Sequence, residues 1–113
     1  MTIENLRTFG ADVEDGLARC INKEDFYLKM VNMGLGAERF TELPKAIEAG
    51  DTDRAFELAH ALKGVIGNLA LTPMYEPVCK LTELLRHKEP GDYMALCKEI
   101  CKLRERLLSM DDD

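Results

Sequence analysis

Apolar residues recur at helical spacing along almost the whole chain. Across 23–34, Phe26, Leu28, Met30, Val31 and Met33 give a broad apolar face, with Asn22 placed to cap the segment and Gly34 and Gly36 to end it. Within 37–49, Phe40, Leu43 and Ile47 share one side; Pro44 predicts a kink or a nearby boundary, and Gly50 supplies a C-cap. Asp51 or Thr52 caps 52–69, with Asp53 and Glu57 near its positive end. Thr72 reads as the cap of 73–88, with Pro73 at the first helical position and Pro77 in the first turn or just past it. Pro90-Gly91-Asp92 turns the chain into 92–110, where Tyr93, Leu96, Cys97, Ile100, Leu103 and Leu107 line one side. Nearer the N-terminus, Asp12 opens a short helix over 12–20, preceded by a weak helical segment from Thr2 to Phe9. Alternating β-branched runs and Asn-Gly or Asp-Gly hairpin turns are missing. The joints are short, so neighbouring helices run antiparallel. The pattern predicts one domain over 1–113: an all-α, up-and-down antiparallel four-helix bundle with one or two short extra N-terminal helices.

The segment 52–69 carries the chemistry. At about 100° per residue, Ala55, Leu58, Ala59, Leu62, Val65, Ile66 and Leu69 gather on a core-facing side. His60 points the other way. Lys63, Gly64 and Gly67 share its face, flanked by Phe56, Glu57 and Asn68. Two helix-interior glycines cost about 0.8–1 kcal/mol each relative to Ala. Because they face outward, packing within the core does not explain them; a bare patch that lets a partner's backbone approach the imidazole does. A neutral imidazole is a nucleophile at physiological pH, and Lys63, one turn on, can neutralise an incoming phosphoryl group. No GxxxxGK[ST] loop is present to hold ATP, and no carboxylate cluster to hold the divalent metal that phosphoryl transfer uses. The metal and much of the catalytic apparatus would come from a partner.

Composition narrows the classes. Hydrophobic residues make up 46% and charged residues 32% of the 113, an ordinary globular balance. A net charge of −6 argues against nucleic acid as partner. The tail 111–113 reads as frayed and solvated. No apolar run is long enough for a membrane span, and the first ten residues lack a secretory pattern, which points to the cytoplasm. Cys20, Cys79, Cys97 and Cys101 read as reduced, mostly buried thiols. Cys97 and Cys101 form a small-residue stripe facing the core and not a metal site, because no CxxC or adjacent His completes a ligand set. His87, beside Lys88 near a helix end, reads as a solvated C-terminal cation.

"AHALKGVIGNLAL" (Ala59–Leu71) resembles the signature of histidine-containing phosphotransfer (HPt) domains, roughly H-x-L-K-G followed by small residues. The likeness extends upstream through "ELPKAIEAGDTDRAFELAHALKG" and "GLARCINKEDFYLKMV", and downstream over Pro73–Met110. It implies a four-helix bundle that relays a phosphoryl group between receiver-domain aspartates and has no kinase activity of its own. By position, His60 would accept the group through Nε2, Lys63 would neutralise its charge, and Gly64 would give the receiver clearance. Arg86 matches a place for a basic residue near the phosphoryl group. Thr82 stands where some members have a Gln supporting the imidazole, and Ala70 where many have Gly. Phe56 and Leu17 are candidates for a docking patch or for ordinary core. The implied partners are receiver domains of hybrid histidine kinases and response regulators, with Mg²⁺ on the receiver and no cofactor on this chain, which would act as a monomer. Met1 and the acidic tail lean toward a free-standing protein. The alternatives are the phospho-accepting domain of a chemotaxis-type histidine kinase and a non-catalytic helical adaptor; a decayed adaptor would lack His60, Lys63 or Gly64, and all three are present.

Overall fold

Aspartates start three of the helices by the same local chemistry. Asp12, Asp51 and Asp92 each accept a hydrogen bond from the backbone N–H three residues on, at 3.2, 3.1 and 2.9 Å. The computed structural model describes residues 1–110; the acidic tail 111–113 lies outside the described residues. Seven helices occur among them: α1 (Ile3–Phe9), α2 (Val13–Arg19), α3 (Glu24–Gly34), α4 (Ala37–Glu48), α5 (Thr52–Asn68), α6 (Thr72–Arg86) and α7 (Tyr93–Ser109). No strand occurs among the described residues.

The longer helices α4 to α7 form the bundle. α4 packs on α5, α5 on α6, α6 on α7, and α7 returns to α4. Leu43, Leu62, Ile66, Leu81, Leu85, Ile100 and Leu107 fill the space between them, each at most 2% exposed. The helix ends follow a common design. After α4, Gly50 takes a left-handed φ of 71° while its N–H and that of Asp51 reach Ile47 O and Ala46 O. This is a Schellman closure, with glycine at the position that needs it. α5 closes the same way with Ala70 in the left-handed position, at φ 57°.

Two local expectations are corrected, at Asn22 and Thr72. Asn22 does not cap α3. It stands in a left-handed turn at φ 56°, its N–H donating to Leu17 O at 2.7 Å, so it closes α2, and Lys23 begins α3 without a side-chain cap. Thr72 is not the cap of α6 but its first helical residue; Leu71 holds the cap position, and the Thr72 hydroxyl donates back to Ala70 O at 3.3 Å. Gly34 ends α3 as expected, and packing also requires a glycine there: a Cβ would lie 2.5 Å from Leu69 Cδ1 and 2.8 Å from Val65 Cγ1. Pro44 lies inside α4, which continues to Glu48. Proline deprives the carbonyl four residues back of its donor. That carbonyl, Phe40 O, instead lies 3.7 Å from the Cys101 thiol, which donates to it from α7.

The N-terminal helices are fastened to the bundle at named points. Tyr27, fully buried, donates to Leu69 O at 2.7 Å and so ties α3 to the end of α5. The Tyr27 ring also occupies the space where Gly16 of α2 lacks a side chain. Asp12 N–H donates to Ala70 O at 2.9 Å. From α7, Arg104 donates to Leu35 O at 2.8 Å and Arg106 to Phe9 O at 3.4 Å. These contacts bring α2 alongside the second half of α5.

Candidate functional site

The fold buries one side of α5 and leaves the other open. Ala55, Ala59, Leu62 and Ile66 are buried, Leu58 and Val65 half-buried, and His60, Ala61 and Gly64 exposed. Lys63 is half-buried, which fits a long side chain whose stem lies along apolar surface. A cavity of about 580 Å³ opens between α2, α5 and the start of α6. His60, Lys63, Gly64, Gly67 and Asn68 line it together with Asp12, Asp15, Arg19 and Tyr75. Most of the candidate residues on α5 therefore meet at one opening.

The two outward glycines part company. A Cβ on Gly64 would meet nothing within 4 Å. A Cβ on Gly67 would lie 3.0 Å from Cε1 of Tyr75. The bareness at Gly67 is therefore taken up by the chain's own α6 ring and is not left for a partner. Tyr75 is itself 42% exposed, and its hydroxyl is pushed above its ordinary pKa by a hydrogen bond with Cys79, one turn on. Asn68 is engaged as well: its Oδ1 accepts from Arg19 Nη1 at 3.4 Å, while Arg19 Nε donates to Asp15 at 3.1 Å.

Thr82 does not support the imidazole. Its side chain is fully buried, and its hydroxyl donates to Val78 O at 2.6 Å, one turn back on α6. A buried hydroxyl must be satisfied, and the i−4 carbonyl is the acceptor in reach. No hydrogen bond joins Thr82 to His60. Arg86 meets the His60 face through Phe56. Its guanidinium lies 5.0 Å from the centre of the Phe56 ring and donates to Glu83 at 2.6 Å. That bond holds the Glu83 carboxyl below the usual carboxylate range, with a smaller pull from Lys63. The Phe56 ring in turn stacks with His60, centroids 5.5 Å apart and planes 12° apart.

Sequence reasoning found the α5 residues because one helix places them by period alone. It missed Tyr75, Asp12 at the start of α2, Asp15 and Arg19 within α2, and the contact of Arg86 with Phe56. Each brings a residue from outside α5, and the only available signal was a Tyr and an Arg on apolar segments. No group of three or more His, Cys, Asp or Glu that could hold a metal occurs among the described residues. No helix among them is long and apolar enough to cross a membrane.

No curated protein and no solved structure matches the chain significantly. Residues 35–111 match the Hpt domain, a family of phosphotransfer proteins in two-component signalling. The match begins just after α3, takes in all four helices of the bundle, and contains His60 on its open helix face. With well over half of its length matched, the chain belongs to the Hpt domain family.

Proposed function

We propose that this protein relays a phosphoryl group between receiver-domain aspartates, with His60 as the carrier. One observation supports this above the others: an exposed histidine with Lys63 and an unobstructed Gly64 on the same open helix face, within an Hpt domain. In the forward step, the Nε2 lone pair attacks phosphorus, a P–N bond forms, and the P–O bond to the donor aspartate breaks. The carboxylate departs with the receiver, and the imidazole keeps its proton on Nδ1. The reverse step delivers the group to a second receiver. Lys63 offsets the charge of the phosphoryl oxygens. Gly64 leaves room for the receiver's backbone, and Phe56 serves the face from within the chain. The divalent cation and the aspartate belong to the receiver, so this chain is a carrier and not a kinase. Four free cysteines suit a reducing compartment such as the cytoplasm.

The test uses receiver domains charged on their aspartates, mixed with the protein and with its His60→Gln variant. The expected result is acid-labile, base-stable label on the parent alone. Label that persists on His60→Gln would overturn the assignment and move it to His87 or elsewhere. Failure of every charged receiver to label the parent would reject the relay.

A further inference from the structure

An exposed histidine has freedom that a carrier cannot use. In-line transfer needs the Nε2 lone pair on the axis of the breaking P–O bond, and misorientation slows such a step steeply. A hydrogen bond to Nδ1 would fix the ring, but Thr82 is fully buried while His60 is exposed, and among the described residues no side chain hydrogen-bonds His60. What meets the imidazole is a ring. Phe56, one turn earlier on α5, stacks with it at 5.5 Å and 12°. Phe56 is itself held from α6, where Arg86 lies 5.0 Å from its centre and is anchored by Glu83 at 2.6 Å.

We propose that Phe56 is the positioning residue for His60, setting the imidazole plane by stacking while Arg86 fixes the Phe56 ring. This rests on the relay reading above and adds the means by which the nucleophile is aimed. Stacking restrains the ring plane and leaves both nitrogens free along its edge. A hydrogen bond would occupy one of them. The Glu83–Arg86–Phe56–His60 series joins α6 to α5, so the aim of the imidazole is tied to the bundle itself. Phe56 is half-buried and does not line the cavity where a receiver would enter, which separates positioning from docking.

The variants are Phe56→Leu, which keeps apolar volume but removes the ring, and Phe56→Tyr, which restores it. The first readout is NMR of the His60 ring C–H groups. The parent and Phe56→Tyr should show the ring-current displacement of a stacked imidazole, and Phe56→Leu should lose it. The second is single-turnover transfer from a charged receiver over a range of receiver concentrations. Aromatic stacking of ordinary strength corresponds to a loss of roughly 2- to 12-fold. Phe56→Leu should lose that much in the saturated rate with half-saturation unchanged, and Phe56→Tyr should recover it. A Phe56→Leu rate equal to the parent's, a change confined to half-saturation, or no recovery in Phe56→Tyr would each overturn the inference and leave the relay standing. A parent that takes no label on His60 would reject both.

Discussion

Position 64 has open space where a Cβ would stand, and position 67 has the Tyr75 ring at 3.0 Å. The same residue type, three apart on one face, therefore answers to two different demands. Alanine at either position recovers up to about 1 kcal/mol of helix propensity. At 64 nothing opposes that gain. Gly64→Ala should raise stability by about 0.5–1 kcal/mol in urea unfolding while, on the proposed relay, slowing transfer from a charged receiver, because its methyl would stand where the partner's backbone is expected to approach. At 67 the ring must shift, so Gly67→Ala should gain less than Gly64→Ala. A Gly64→Ala protein that is more stable and transfers at the parent rate would show that no backbone comes close there. Period alone put both glycines on the His60 face. It did not show that one of them is covered from α6, because Tyr75 arrives after a turn in the chain.

Helix ends set the second scale. α4 and α5 close by the same pair of backbone hydrogen bonds, but α4 uses Gly50 in the left-handed position and α5 uses Ala70, at φ 57°. A Cβ in that region costs about 1–2 kcal/mol; the greater freedom of an unfolded glycine returns about 0.4–1 of it. Ala70→Gly should therefore stabilise the protein by about 0.5–1 kcal/mol, read as a higher urea midpoint at unchanged slope. A lower midpoint would mean that the buried Ala70 methyl contributes more through packing than its backbone costs. Starts were legible where an aspartate side chain faces its own helix, as at Asp12, Asp51 and Asp92. They were not legible at Asn22 and Thr72. Both are good capping residues, but the chain turns one residue away from where either side chain could reach the free N–H groups. Pro44 shows the same limit: its cost to α4 depends on a thiol from α7 that no local reading could pair with Phe40 O.

On the scale of the molecule, α1 to α3 lie before the matched region 35–111, yet α2 builds one wall of the cavity beside His60. Their attachment to the bundle therefore bears on the site, and Tyr27 is its buried anchor. Burial, with lesser contributions from Cys20, Asp12 and Asp15, pushes the Tyr27 hydroxyl up to about 12. In the unfolded chain the group ionises near its ordinary value of about 10. Below pH 10 the hydroxyl is protonated in both states, and its contribution is fully present. Between about 10 and 12 the unfolded chain gives up the proton and the folded one keeps it, so stability falls with rising pH, by about 2–3 kcal/mol across the interval. Tyr27→Phe removes that dependence. It also leaves Leu69 O without its donor, at a cost of about 1–2 kcal/mol near neutrality. The parent should therefore be the more stable protein at pH 7 and the less stable one by pH 12, with the two curves crossing in between. Urea unfolding of both proteins at pH 7, 10, 11 and 12 would reveal the crossing. Parallel curves over that range would show that Tyr27 keeps enough solvent to ionise in place, and that the tie between α3 and α5 is looser than its 2.7 Å hydrogen bond implies.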